Sequence, residues 1–150
     1  MEDSAALARR LILATTRMDG AYYYFARRSG VPENLLALLY ALEDGKPHSQ
    51  KEICEDWLIP KTTINTIVKE QIAAGRITLR AGKGKREKII CLTESGHAYA
   101  QKALQGICEA ERVAVERTLE KHDRAFVDAL EDFAGTLWEE YEKRLPGEER

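Results

Sequence analysis

The sequence predicts a mainly α fold with a small β part (α+β), a winged helix-turn-helix held between long N- and C-terminal helices. Three observations carry this. A capping-box start at Ser49 and a proline break at Pro60 mark two short adjacent helices. Two β-branched runs, residues 77–80 and 88–92, flank the glycine-rich basic loop Ala81-Gly82-Lys83-Gly84-Lys85. Apolar residues at steps of three and four fill both ends of the chain.

In order along the chain, Leu7, Leu11, Ala14, Met18, Tyr22 and Phe25 share one face of a long first helix, stopped by Ser29-Gly30-Val31-Pro32. Pro32 suits the first turn of a second helix, where Leu35, Leu36, Leu38, Leu39 and Leu42 crowd more than one face, so that helix should be deeply buried. Asp44-Gly45-Lys46-Pro47 ends it. Ser49 and Glu52 then satisfy each other's backbone amides at the start of a helix running to about Trp57. Pro60 opens the next helix, with Ile64, Ile67, Val68 and Ile72 turned inward and Gly75 ending it. Cys54, Leu58 and Ile64 sit where the two short helices must pack. After the hairpin, Thr93 caps a long helix that is interrupted near His122-Asp123. A last helix shows Phe126, Ala129, Leu130, Phe133, Leu137, Trp138 and Tyr141 on a broad face. Pro146-Gly147-Glu148-Glu149-Arg150 reads as a frayed tail.

At 150 residues and 44% hydrophobic composition the chain can bury one good core, so a single domain over residues 1–150 is expected, with residues 49–92 as the winged lobe and 1–48 and 93–150 as its helical frame. No apolar run reaches the roughly 18 residues of a membrane span, and the N-terminus lacks a signal-peptide pattern, which places the protein in the cytoplasm with no membrane partner. Cys54, Cys91 and Cys108 are odd in number and widely spaced, and are expected as mostly buried free thiols.

Charge is unevenly spread. The net charge is −2, yet residues 61–88 carry Lys61, Lys69, Arg76, Arg80, Lys83, Lys85, Arg86 and Lys88 against only Glu70 and Glu87, while the chain from Glu109 onward is acidic. Binding to a polyanion follows local potential, not net charge. The second short helix presents Lys61, Thr62, Thr63, Asn65, Thr66 and Lys69 outward. Three Thr and one Asn cost helix propensity where a plain solvated face would carry Glu and Lys, so they are expected to read base edges between phosphate-binding lysines. Asn65 is expected to pair bidentately with adenine. Gly82 and Gly84 let the hairpin tip approach another surface, and Arg80, Lys83, Lys85, Arg86 and Lys88 can neutralise phosphates there. Ser49 and Gln50, heading the first short helix, complete the expected DNA contacts.

Residues 49–96, SQKEICEDWLIPKTTINTIVKEQIAAGRITLRAGKGKREKIICLTESG, resemble the MarR family of bacterial transcription regulators, and the flanking helices fit that family's order of elements. The closing signature R-x-x-x-[VI]-x-L-T-x-x-G is met by Arg86, Ile90, Leu92, Thr93 and Gly96. The resemblance implies a two-fold homodimer built by the first helix and the last two, with residues 61–69 in the major groove and Arg86 in the minor groove. It implies a repressor at a pseudo-palindromic operator in double-stranded DNA, released by a small-molecule or oxidative signal. A winged-helix module that binds a protein through the same basic face, without a specific DNA site, is the alternative. Three departures stand out: Gly84 where the family has the Asp that braces the wing arginine, Leu58 in place of the frequent turn glycine, and Thr66 where many members have Arg.

The run Ala21-Tyr22-Tyr23-Tyr24-Phe25 is read first as core and dimer-seam packing. The other reading is a pocket for a small aromatic effector, formed by Tyr22, Tyr23, Phe25, Tyr40 and His97. His48, His97 and His122 lack metal-ligand spacing, and no cofactor is implied. No nucleophile, base and orienting group cluster, so no catalytic residues and no enzyme are expected. Cys54 and Cys108 would be redox sensors only with depressed thiol pKa values, for which Lys51, one turn before Cys54, is a candidate cause.

Overall fold

The computed structural model describes residues 3–84 and 86–145. Helices α1 (Ser4–Ser29), α2 (Glu33–Leu42), α3 (Gln50–Asp56) and α4 (Lys61–Ala73) precede a hairpin, and α5 (Glu94–Leu119) and α6 (Ala125–Arg144) follow it. Strands β2 (Ile77–Ala81) and β3 (Lys88–Leu92) form that hairpin, and a two-residue strand β1 (His48–Ser49) adds to the other edge of β3. The sheet is antiparallel in the order β1-β3-β2, with Leu79 opposite Ile90 and Ser49 opposite Ile89. This is the mainly α winged helix-turn-helix expected from the sequence. The β1 strand was not foreseen, because two residues carry no periodicity to read.

Local chemistry sets the helix ends. Asp3 caps α1 by accepting the Ala6 N–H at 2.8 Å, and Gly30, at φ 72°, closes it in the left-handed region. Pro32 and Pro60 both stand at the N-cap, one residue before the first-turn place expected of them. Their extended backbone lets each carbonyl accept the first helical bond, from Leu36 and Ile64 respectively, at 3.0 Å. Asp123, at the expected interruption between α5 and α6, accepts the Ala125 N–H at 2.9 Å.

The chain forms two compact units, Met1–Ile107 and Cys108–Arg150. The core of the first is built around α2, whose Leu38 and Leu39 are wholly buried, together with Ile53, Ile64, Ile77, Ile90 and Leu104. At its far end Phe25 lies over Gly106, where a β-carbon would collide with the ring. Most of α1 stays exposed, with Leu7, Leu11, Met18 and Tyr22 all open to solvent. In the second unit Arg112 pairs with Glu109 at 2.7 Å and Glu116 at 2.6 Å, and no residue of α6 is buried. Phe126, Trp138 and Tyr141 remain exposed there. Among the described residues no helix is long and apolar enough to cross a membrane.

Candidate nucleic-acid interface

The capping box at Ser49 sets the start of α3. Ser49 Oγ accepts the Glu52 N–H at 3.1 Å, and Glu52 Oε2 accepts the Ser49 N–H at 2.7 Å. The bond from Ser49 N–H, followed by the Ser49 side chain, holds the Glu52 carboxyl below the usual glutamate range. Ser49 is itself buried with its hydroxyl engaged, so the expectation that it contacts DNA is corrected: its role is to position Gln50, the first residue of α3.

Between α3 and α4 the chain turns through Leu58 at φ 50°, the only non-glycine residue at positive φ among those described. Its side chain is 67% exposed, and Ile59 is buried in its place. The sequence reading put Leu58 in the packing between the helices. Leu58 points outward instead, on a left-handed backbone that suits glycine because glycine has no β-carbon to crowd the carbonyl.

Beyond the turn, Lys61, Thr62, Asn65, Thr66 and Lys69 are all exposed along one face of α4, while Thr63 is half-buried. Ile64, Ile67 and Val68 face inward as expected, but the last inward position belongs to Gln71, and Ile72 is 40% exposed. A buried amide needs a partner, and Gln71 Oε1 accepts from Arg76 Nη1 at 3.2 Å. The Arg76 guanidinium in turn lies 3.7 Å from the Tyr99 ring centroid. Arg76 therefore belongs to the support of α4 and not to the basic surface in which its charge was counted.

On the outer side, the Gln50 side-chain amide donates to Asn65 Oδ1, joining α3 to α4. The bidentate pair expected of Asn65 would need the same Oδ1 that here accepts from Gln50.

The hairpin tip is closed by Glu87. Its backbone accepts the Gly82 N–H at 2.9 Å and donates to the Gly84 carbonyl at 3.1 Å, while its carboxylate accepts the Lys83 N–H at 2.8 Å. A β-carbon on Gly82 would strike that carboxylate. Glu87, read from sequence only as a charge offsetting its neighbours, is the brace of the loop. Arg80, Lys83, Arg86 and Lys88 are exposed around it, and Lys85 lies outside the described residues.

The base of the hairpin is tied back to α4. Thr93 Oγ1 donates to the Gly75 carbonyl at 2.7 Å and accepts the Gly96 N–H at 3.0 Å, and Ser95 Oγ also donates to Gly75 at 2.9 Å. The L-T-x-x-G signature is thus a fastening between the end of α4 and the start of α5.

Protein-family models and curated protein sequences give no match to this chain. Solved structures do. NMB1585, a MarR family regulator from Neisseria meningitidis, is 24% identical and aligns over 96% of each chain with a TM-score of 0.69. NadR in complex with 4-hydroxyphenylacetate is 14% identical over 91% of this chain and 95% of its own, TM-score 0.67. Overoxidized AbfR bound to DNA is 17% identical over 89% of this chain and 93% of its own, TM-score 0.56. The chain has the fold of the MarR family regulators.

On this MarR fold the five residues suggested for an effector pocket have different immediate surroundings. Tyr22 and Tyr23 are exposed on α1, and Phe25 is half-buried over Gly106. Tyr40 meets Trp57 edge to face at 5.3 Å between ring centroids. His97 instead lines a cleft of about 140 Å³ with Leu42, Lys46, Pro47, Arg80 and Cys91, room for little more than one aromatic ring. The cysteines also differ from expectation. Cys54 and Cys91 are half-buried and Cys108 is exposed. Burial pushes the Cys54 thiol up, with Lys61 opposing it, which is the direction away from the depressed value that sensing would need.

Proposed function

We propose that this protein is a sequence-specific, DNA-binding transcription regulator of the MarR type. The observation that carries the reading is the single exposed stripe Lys61, Thr62, Asn65, Thr66 and Lys69 on α4, beside a braced loop presenting Lys83 and Arg86. Short polar side chains between lysines suit base edges flanked by phosphates, and α4 enters the major groove. The loop cations neutralise phosphate, with Arg86 reaching the adjacent minor groove. The DNA bound to AbfR supports the same partner for this chain.

The protein acts in the cytoplasm as a homodimer and as a repressor on a pseudo-palindromic operator. The open apolar stripes of α1 and of α6 each supply surface to a second copy. A small aromatic effector lowers its affinity, as the 4-hydroxyphenylacetate held by NadR suggests. The cleft beside His97 supports an effector better than Cys54 supports oxidation, and an occupant there would draw on Arg80 of the basic hairpin.

A mobility-shift assay with the intergenic DNA next to the protein's own gene tests the function. A discrete complex that survives excess random duplex is expected. Binding no tighter than to random DNA would point to a winged-helix module for a protein partner.

A further inference from the structure

Resting on the DNA-binding function proposed above, we infer that Gln50 and Asn65 read the major groove as one composite unit, so that Gln50, on α3, determines specificity together with the α4 helix. The two side chains lie 15 residues apart and meet through their amides on the outer side of the helix pair. Ser49 and Glu52 hold Gln50 in place through the reciprocal cap, and the Pro60 start sets the phase of α4 that turns Asn65 outward.

Each amide offers one carbonyl oxygen and one NH2 group. A bond between two amides joins the nitrogen of one to the oxygen of the other. Whichever way the pair is turned, one side chain then presents its NH2 outward and the other its C=O. In the arrangement seen, Gln50 donates and Asn65 accepts, which leaves Asn65 Nδ2 as a donor and Gln50 Oε1 as an acceptor. A lone asparagine on adenine uses both of its groups on one base. Here the donor and acceptor come from different helices, so the pair fits a purine N7 beneath Asn65 and an exocyclic amine, adenine N6 or cytosine N4, beneath Gln50. The mutual bond also holds both side chains in their reading positions before DNA arrives, which lowers the ordering cost of binding.

The test is a double-mutant cycle on a duplex that the wild-type protein selects from a randomised pool, with a random duplex beside it at the same salt. Gln50→Ala and Asn65→Ala should each lose about ten- to a hundredfold on the selected duplex and little on the random one, on the scale of a good bidentate contact. The double variant should lose no more than the worse single. Placing 7-deazapurines one at a time through the half-site should find a position where removing N7 weakens the wild type about tenfold and leaves Asn65→Ala unchanged. Gln50→Glu keeps the shape but accepts without donating, which turns Asn65 Oδ1 outward, so its selected sequence should change at that same position. Losses that multiply in the double variant, or a Gln50→Glu protein that selects the wild-type sequence, overturn the composite reader while DNA binding stands. A pool that yields no enriched sequence removes both.

Discussion

Gly96, on the first turn of α5, lies so close to the backbone carbonyl of Arg76 that no β-carbon can be placed between them. The Thr93 hydroxyl clamps the same junction by bridging the Gly75 carbonyl and the Gly96 N–H. The obstacle is backbone, which cannot swing aside as a side chain can. Gly96→Ala should therefore destabilise by about 3 kcal/mol, at the upper end for overpacking. For a chain of this size that lowers the melting temperature by about 6–12 °C. An unchanged melt would mean that the end of α4 and the start of α5 are not in contact.

Leu58 carries the opposite prediction. Its positive φ costs a non-glycine residue about 1–2 kcal/mol, and its exposed side chain gives little back. Leu58→Gly relieves that strain at a smaller cost in unfolded-chain entropy, so a net gain of about 0.5–1 kcal/mol is expected as a higher urea midpoint. A lower midpoint would show that Leu58 packs inward after all.

Ser49→Ala should cost about 1 kcal/mol by removing the cap acceptor of α3. The partner side of the box sets a pH dependence. The folded Glu52 carboxyl lies below its ordinary 4.5, so its contribution is fully present above that value. As pH falls below it, the unfolded chain takes up its proton first, and the contribution drains away until the folded carboxyl is protonated too. The stability gap between wild type and Glu52→Gln should be flat at neutral pH and shrink below about pH 4.5. A gap that widens on acidification would contradict the cap geometry.

Arg86→Ala should weaken binding to operator and random DNA alike, because loop contacts to phosphate and minor groove carry little sequence information. Each lost phosphate contact should flatten the dependence of log affinity on log salt by about one unit. Gly82→Ala should do the same indirectly by displacing the Glu87 brace. A changed sequence preference with unchanged affinity would assign the loop a different role.

Sedimentation at micromolar concentration should give twice the 17.0 kDa chain mass, and removing the segment after Asp123 should yield monomeric or insoluble protein. Exposed Leu7, Leu11 and Met18 on α1, and Phe126, Trp138 and Tyr141 on α6, are the surfaces that a second copy would cover. A clean monomer of the whole chain would overturn that assembly.

By itself the sequence determined the elements other than β1, since their causes are local. Periodicity placed α2 in the core, the S-x-x-E pattern started α3, Gly30 and Gly75 ended their helices, and β-branched runs about a glycine-rich loop made the hairpin. Most of the outward stripe of α4 was legible for the same reason: helical spacing separates Lys61, Thr62, Asn65, Thr66 and Lys69 from Ile64, Ile67 and Val68, although it also set the half-buried Thr63 outside and the exposed Ile72 inside. What only the tertiary structure decided were relationships between residues far apart in the chain. Gln71 is inside because Arg76 satisfies it, and Arg76 is withdrawn from the basic surface because Tyr99 lies beneath it. Likewise Glu87 became a brace through backbone groups that hydrophobicity patterns do not encode. The amide bond from Gln50 to Asn65 exists only once α3 and α4 are folded against each other, because a side-chain contact across 15 residues depends on the angle between helices and not on the period within either one.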